Sequence, residues 1–517
     1  MKEILYIQAG PFANFIGQHF WNAQESYFTY GEDEDPIVFH DRSFREGLNH
    51  KGDPTFCPRV LIFDRKSYFG ALSDELYAGA DDADISQWDG GMVQYHQDPI
   101  PKSDYHTRLD QELAESDEQR ENAKTPVTVD ASNIRFWSDY SRVYYHPRSI
   151  QKLPDLADWE RSEGEWQSSR EAFANHEHAS EHEIMENEVR LFVEECDALQ
   201  GIQLTSDCDT FGGFTDAFFA AFRDEYPKLP SLTFPLLSNA SNLPVTAEEE
   251  QLAAKLINDA LCMRSLEAVS TINVPLQHPS TWKRTEWLDG LNIDLRSPYH
   301  TSALLATHVE SATLPLRLKS SPHDVLSLSS LLNASGTLSI SYLSGFYPVP
   351  STVSWSRESE KKLYDLSASR GDNAPGGKVP VTEYARLQVS RGFSSTEHEK
   401  YDEHFSAKSP APFSIHAPAY PTPSSFPPLS ASSDPAEKQR ALSSLSTSTA
   451  TARLFASYAT LVQACVDRRA EVVARMGLEF DEMRELKDHL WALCDRYAGP
   501  DEEWRNEKED ALSEDEE

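Results

Sequence analysis

The sequence predicts an α/β fold with a mainly parallel sheet, and three observations lead to this prediction. Short apolar segments, such as EILYIQAG at 3–10 and RVLIFD at 59–64, have the composition of buried parallel strands. Segments with apolar residues at helical spacing follow the strands, as in ANFIGQHFW at 13–21. Strands and helices alternate, which favours a doubly wound domain with helices on both faces of the sheet.

The later elements of this domain follow the same rule. LQGIQLTSD at 199–207 is a predicted strand, and GGFTDAFFAAFRDEYP at 212–227 is a predicted helix that follows a glycine turn and stops at proline. SLTFPLL at 231–237 is the next strand. Residues 246–270 then form a long central helix.

Composition sets the predicted domain boundaries. The first domain covers residues 1–245 and carries a polar insertion at about 75–185. Residues 246–400 contain the central helix and an α+β region, which we call the intermediate domain. The rest of the chain divides into a Pro/Ser-rich linker or loop at 401–450, C-terminal helices at 451–500, and an acidic tail at 501–517 that is predicted to be disordered.

Charge and cysteine usage exclude several classes of protein. The formal net charge of −37 disfavours direct binding to nucleic acid and to anionic lipid. Six cysteines without a CxxC pair indicate a reducing compartment and argue against a disulfide framework or a structural zinc site.

No apolar run approaches the roughly 20 residues that span a bilayer. We also expect no cleavable presequence, because a predicted strand begins at once and contains Glu3.

Several segments together resemble tubulins. The opening MKEILYIQAG and the strand PRVLIFD resemble the first two nucleotide-site strands, and CDALQGIQLTSD with the following GGF and AFRDEYPKLPSLTFPLLS resembles the third unit. INDALC, LSGFYPV and GLEFDEMRELKDHLWALCDRYAG resemble later tubulin helices and a strand. Within the tubulin superfamily, the chain is similar to the Misato family, and to its fungal branch.

This resemblance implies a tubulin-like fold and a function. The implied function is that of a non-enzymatic protein in the distribution and inheritance of mitochondria and mitochondrial DNA, located at the cytosolic face of the mitochondrion and in the cytoplasm. Two alternatives stay open: a GTP-binding, polymerising tubulin relative, and a factor that assists tubulin folding or microtubule assembly. The implied partners are proteins, among them tubulin, chaperonin or mitochondrial surface proteins. The oligomeric state is not predicted.

The resemblance also assigns a vestigial nucleotide site. The positions that match it are Gly10, Asn14, Asp64, Gly212, Gly213, Thr215 and Asn258. The chain departs from the tubulin pattern between them. Pro11 replaces a glutamine and so removes both a side-chain donor and a backbone N–H. Phe12 and Phe15 add bulk, and Lys66 replaces an acid that would help to hold Mg²⁺.

The glycine-rich loop differs most from tubulins. Tubulins have GGGTGSG, and this chain has SDCDTFGGFTDA, in which Asp207 and Asp209 bring negative charge toward the expected phosphate position. We therefore predict degraded phosphate loops and no GTPase activity, while GTP stays open as a ligand.

No catalytic or metal-binding residue is predicted. Asp324 in SPHDVLSLSSLLN lies near the position of the tubulin acid that orients water, but the register does not fix the match. His176, His178 and His182 lie in a segment rich in glutamate. Such a charged segment is typical of a solvated face rather than of a metal site.

Overall fold

The computed structural model describes most of the chain. The described residues are 2–28, 35–48, 54–72, 100–114, 133–155, 165–177, 183–238, 249–279, 282, 288, 291–333, 335–350, 363–367, 381–406, 410–429 and 439–498. The predicted acidic tail at 501–517 lies outside them, as does most of the first half of the predicted insertion.

The strands are numbered along the chain. They are β1 (Lys2–Ala9), β2 (Phe44–Leu48), β3 (Pro54–Pro58), β4 (Val60–Arg65), β5 (Ile150–Leu153), β6 (Ala198–Asp207), β7 (Ser231–Leu237), β8 (Ile272–Asn273), β9 (Leu276–Gln277), β10 (Tyr342–Phe346), β11 (Tyr364–Asp365), β12 (Glu383–Arg391), β13 (Phe413–Ala417) and β14 (Ala441–Ser448).

The α-helices are numbered in the same way. They are α1 (Pro11–Glu25), α2 (Asp104–Ala114), α3 (Trp166–Glu177), α4 (Arg190–Glu194), α5 (Cys208–Glu225), α6 (Glu249–Val269), α7 (Pro298–Thr313), α8 (Val325–Leu332), α9 (Ser395–Ser406), α10 (Ala450–Asp467), α11 (Glu471–Arg475) and α12 (Phe480–Tyr497). A π-helical turn, Ile184–Val189, leads into α4.

The first sheet is parallel, and we refer to it as the parallel sheet. Its strand order is β5-β4-β1-β6-β7-β8, and β9 also pairs with β7. Neighbouring strands run in the same direction throughout this order. Their carboxyl ends therefore lie along one edge, which we call the carboxyl edge, and this is where open α/β sheets bind ligands.

Helices cover both faces of the parallel sheet because alternate side chains of each strand point to opposite faces. Leu5 and Ile7 of β1 belong to a buried cluster with α5, α6, α10 and α12. Ile4 and Tyr6 of the same strand belong to a second cluster with α1 and α7. The predicted doubly wound parallel sheet, long central helix and C-terminal helices are confirmed.

The second sheet combines strands from the predicted intermediate domain at 246–400 with β13 and β14, which lie beyond it in the sequence, and we refer to it as the mixed sheet. Its order is β11-β10-β14-β12-β13. The β12–β13 pair is parallel, whereas the pairs β10–β11, β10–β14 and β12–β14 are antiparallel. A separate hairpin, β2–β3, is antiparallel.

The prediction of a linker or loop at 401–450 is wrong for β13 and β14. The sequence of β14, ALSSLSTS, is polar in composition, yet the strand lies buried in the middle of the mixed sheet. Two of its hydroxyl groups have partners on other elements: Ser443 Oγ lies 2.8 Å from His308 Nδ1, and Thr447 Oγ1 lies 2.7 Å from Ser341 Oγ. Small hydroxyl side chains with hydrogen-bond partners inside the protein can be buried at little cost in free energy. For this reason, the polar composition led to the wrong prediction of a linker or loop here.

The predicted insertion at about 75–185 contributes to the first domain. Within it, β5 is the edge strand of the parallel sheet and pairs with β4. Helix α3 packs on α5, where Phe173 and Phe214 have ring centroids 5.3 Å apart. Residues 73–99, 115–132, 156–164 and 178–182 of this region lie outside the described residues.

The C-terminal helices complete one face of the molecule. Phe455 and Tyr458 of α10 and Leu486 and Leu490 of α12 are buried in the cluster that contains α5 and α6. In the part of the chain that the structure describes, no helix has both the length and the hydrophobicity that crossing a membrane requires.

Candidate functional site

The carboxyl edge brings several of the predicted site residues together. Gly10 follows β1, Asn14 lies on the first turns of α1, and Asp64 is near the end of β4. Asp207 ends β6, and Asn258 lies on α6. Asn14, Asp64, Asp207 and Asn258 are all buried.

The carboxylate of Asp207 occupies the N-terminus of α1. Its Oδ2 accepts a hydrogen bond from the backbone N–H of Phe12 at 2.8 Å, and its Oδ1 accepts one from Ala13 at 2.9 Å. A helix N-terminus offers such N–H groups and a positive dipole end, which is why phosphates bind there in nucleotide folds. In this chain, an internal carboxylate uses both donors.

Gly10 makes this contact possible. Its φ of 111° lies in the region that favours glycine. A Cβ atom at this position would lie 2.6 Å from Asp207 Oδ2. The close approach that glycine allows at this turn therefore accommodates the Asp207 side chain.

Burial and charge act on the Asp207 carboxyl in the same direction. Burial raises the pKa of Asp207 well above its usual value, and the nearby Asp209 raises it further. The two N–H groups of α1 oppose these effects, since they stabilise the ionised form. The two hydrogen bonds with α1 hold the Asp207 side chain in place at the carboxyl edge.

Asn14 and Asp64 form a pair beneath the α1 N-terminus. Asn14 Nδ2 donates to Asp64 Oδ2 at 2.8 Å, and the backbone N–H of Arg65 donates to Asp64 Oδ1 at 2.8 Å. Asp64 is fully buried. The pair therefore joins the end of β4 to α1.

The predicted glycine turn before the 212–227 helix is wrong. Helix α5 begins at Cys208, directly after β6, so Gly212, Gly213 and Thr215 lie within the helix. A Cβ atom on Gly213 would lie 2.2 Å from the backbone oxygen of Trp166, and one on Gly212 would lie 3.1 Å from the Trp166 ring. The two glycines allow α3 to pack closely on α5, and Thr215 is buried beside them.

The hydroxyl of Ser169 on α3 strengthens this packing. It donates to the carbonyl oxygen of Thr210 at 3.0 Å and accepts from the backbone N–H of Phe214 at 3.0 Å. A side chain of the neighbouring helix thus bonds the first turns of α5, where tubulins have a loop.

Asn258 contacts the same strand-to-helix junction. Its Nδ2 donates to the carbonyl oxygen of Asp209 at 3.1 Å. The Asp209 carboxylate is paired with Lys255, whose Nζ lies 2.8 Å from Oδ2. The long central helix α6 therefore contacts the backbone and the side chain of the segment that follows β6.

The two phenylalanines of the first loop have different positions. Phe12 is buried at the carboxyl edge, and its ring centroid lies 4.7 Å from that of His278. Phe15, one turn further along α1, is half-buried, with its ring centroid 6.0 Å from that of Tyr140.

The groups that would contact a nucleoside triphosphate at this edge have other contacts in the structure. The N–H donors of Phe12 and Ala13 are bonded to Asp207, and Pro11 has no N–H to offer. The glycines that would cradle phosphate are inside a helix, under α3. The charge of Lys255 is paired with Asp209.

Asp324 and His176, which the sequence analysis considered for catalysis and for metal binding, contact other residues of the fold. Asp324 caps α8 through the N–H of Ser327, and it lies 2.5 Å from Lys2 Nζ. His176 contacts Gln151, while His178 and His182 lie outside the described residues. Across the described ranges, no group of three or more His, Cys, Asp or Glu side chains is arranged to hold a metal ion.

Sequence reasoning missed two contacts at this edge. It identified Asp207 as a repelling charge, although an acid at the end of a strand is also a common partner for N–H groups of a helix N-terminus. It gave no role to Asp259, which accepts from the backbone N–H of Ser238 at 2.6 Å and from Tyr458 at 3.0 Å. No local pattern links Asp259 with a tyrosine 199 residues away.

Comparisons with known proteins agree with this architecture. A family model described as "Misato Segment II tubulin-like domain" matches residues 2–111. A second model, described as "Tubulin domain", matches residues 126–318.

Named relatives extend the match along the chain. "Protein dml1" of Aspergillus niger is 31% identical over 515 residues, which cover 95% of this chain and 98% of the relative. "Protein DML1" of Gibberella zeae is 38% identical over 328 residues, covering 62% of this chain and 61% of that relative. "Protein misato homolog 1" of Bos taurus is 29% identical over 80% of this chain and 76% of its own length. The predicted resemblance is confirmed, and the chain belongs to the Misato family of tubulin-like proteins, together with the fungal Dml1 proteins.

Proposed function

We propose that this chain is a non-enzymatic tubulin-like protein that acts in the distribution and inheritance of mitochondria and mitochondrial DNA. In this proposal it works through protein partners at the cytosolic face of the mitochondrion, and it does not bind or hydrolyse GTP. Its membership of the Misato family supports the mitochondrial role.

One observation carries the non-enzymatic part of the proposal. The Asp207 carboxylate bonds the two N–H groups of α1, at 2.8 and 2.9 Å, that a phosphate would need. A phosphate would have to displace this buried carboxylate, which already lies against the same donors. Two negative charges within a few ångströms repel by kcal/mol-scale energies in a protein environment.

Nucleotide content tests this part directly. The full-length protein is purified, denatured and analysed for released nucleotide by chromatography, and a fluorescent GTP analogue is titrated with Mg²⁺ in parallel. Purified tubulin serves as the positive control. We expect no released nucleotide and no saturable binding up to high micromolar GTP. Stoichiometric GTP would contradict the proposal and would favour the GTP-binding, polymerising alternative.

Localisation and depletion test the mitochondrial part. A tagged full-length chain should co-sediment with mitochondria and be digested by protease added to intact organelles, as expected for the cytosolic face. Depletion should disturb mitochondrial distribution and reduce the inheritance of mitochondrial DNA. A nuclear or secreted signal would contradict this. Capture of tubulin or chaperonin without any mitochondrial defect would instead favour the folding-factor alternative.

A further inference from the structure

Two cysteine side chains meet behind the carboxyl edge. Cys208 is the first residue of α5 and follows Asp207 directly, and Cys262 lies on α6. Their sulfur atoms are 3.0 Å apart, and the two residues are separated by 54 positions in the sequence. Both side chains are buried in the cluster that joins α5, α6 and the C-terminal helices. The proposed mitochondrial function does not involve this pair of thiols.

The two sulfurs are in direct contact in a buried, apolar environment. Burial raises the pKa of the Cys208 thiol well above its usual value, and its contact with Cys262 raises it further. The Cys208 thiol donates its hydrogen bond to the Cys262 sulfur. The contact therefore places each sulfur within reach of the other, and this geometry is what favours a bond between them.

We propose that Cys208 and Cys262 form a reversible disulfide when the protein meets a hydroperoxide. The pair is a redox-dependent modification site that links α5 to α6, and it does not depend on the proposed function. The sulfurs need to move about 1 Å closer for the bond to form. In a reducing compartment such a pair stays as two thiols until an oxidant arrives.

The chemistry balances with one peroxide molecule. One of the two thiols ionises, and its thiolate attacks the peroxide O–O bond. This gives a sulfenic acid on that sulfur, and the alkoxide or hydroxide that is released takes up the proton to become an alcohol or water. The other thiol then loses its proton and attacks the sulfenic sulfur, and the sulfenic hydroxyl takes up that proton and leaves as water. In total, two thiols and one hydroperoxide give one disulfide, water and the reduced peroxide. A small thiol reductant reverses the reaction by thiol–disulfide exchange.

The position of the bond determines its effect. It would join the residue after Asp207 to α6, which also contacts this junction through Asn258 and Lys255. A cross-link between distant positions reduces the freedom of the unfolded chain. Oxidation should therefore make the folded protein more stable to heat.

Mass spectrometry on the unsubstituted, full-length protein tests the proposal. The native protein is treated with hydrogen peroxide, blocked with an alkylating agent during denaturation, and digested. We expect a peptide that links Cys208 to Cys262, two hydrogen masses lighter than the two thiol peptides, which disappears after reduction. The melting temperature should rise by several degrees on oxidation and return on reduction.

Substitution provides the matched comparison. Cys262→Ser should abolish both the linked peptide and the rise in melting temperature, whereas Cys465→Ser, another buried cysteine on α10, should keep both. Recovery of Cys208 and Cys262 as alkylated thiols, under conditions that oxidise the half-buried Cys196, would overturn the proposal. Disulfides that pair either cysteine with a different one would overturn it as well. Because the peptide analysis uses the unsubstituted chain, it decides the question even if a variant does not fold.

Discussion

Arg391 and Glu310 form an ion pair in which both side chains are fully buried, with Nη1 and Oε2 2.5 Å apart. Glu310 lies on α7 and Arg391 ends β12, so the pair joins the helix layer of the parallel sheet to the mixed sheet. Tyr27, just after α1, donates to Glu310 at 2.9 Å, and Arg317 lies 3.3 Å from the same carboxylate. One carboxylate and two guanidinium groups therefore meet inside the contact between the two sheets.

Removing one partner of this pair should be strongly destabilising. Arg391→Met removes the shorter of the two ion pairs that the buried Glu310 carboxylate makes, and loss of one partner from a buried pair costs about 3–5 kcal/mol. Urea unfolding of the variant measures the loss. The matched control is Arg484→Met, since Arg484 pairs with Asp481 on the exposed face of α12 and should change stability by less than about 0.5 kcal/mol. Equal effects of the two substitutions would contradict a structural role for the buried pair.

Gly213→Ala tests the role of the glycine pair. The added Cβ atom would lie 2.2 Å from the Trp166 backbone oxygen, so α3 has to shift, and overpacking of this kind costs about 1–3 kcal/mol. Thermal and urea unfolding measure the change. Gly47→Ala is the control, because the atom nearest to its Cβ would be the Thr55 hydroxyl oxygen, at 3.2 Å. A neutral Gly213→Ala variant would mean that α3 does not pack on this face in solution.

Asp207→Asn should change the dependence of stability on pH. Because the pKa of Asp207 is raised in the folded state, the folded protein holds a proton that the unfolded chain releases above about pH 4. The native protein therefore gains stability as the pH falls through the folded pKa toward about 4, and the variant lacks this contribution. The measurement is the difference in unfolding free energy between the two proteins at several pH values. A difference that stays constant with pH would be inconsistent with a raised pKa.

Asp324→Asn should have the opposite pH dependence. Burial raises the pKa of Asp324, but the hydrogen bonds with Lys2 and Ser327 outweigh it and lower the pKa to about 2. The resulting stabilisation is present above about pH 4 and is lost as the pH falls toward 2. We expect a loss of about 1 kcal/mol at neutral pH, since solvent screens this partly exposed pair. Asparagine keeps the helix cap, so the substitution isolates the charge. A loss that is as large at pH 3 as at pH 7 would refute this account.

Local sequence patterns were sufficient to predict the strands and helices whose apolar residues recur at a regular spacing. The buried strands β1 and β4 and the helix α1 were predicted because apolar spacing depends only on neighbouring residues. The same reasoning failed at β14, whose serines have partners on other elements, such as His308. It also failed at Gly212 and Gly213, because a glycine pair has the same local signature in a loop and in a tight helix contact.

The sequence by itself determined the alternation of strands and helices and the resemblance to tubulins. It also showed that Pro11 and Phe12 differ from the tubulin pattern at positions where phosphate would bind. Only the tertiary structure decided which group contacts the N-terminus of α1. Asp207 is 195 residues from Phe12, and its carboxylate reaches α1 because the parallel sheet places the ends of β1 and β6 side by side. The same arrangement brings Cys208 to Cys262. Contacts between distant residues follow from the pairing of strands and the packing of helices, which no local pattern encodes.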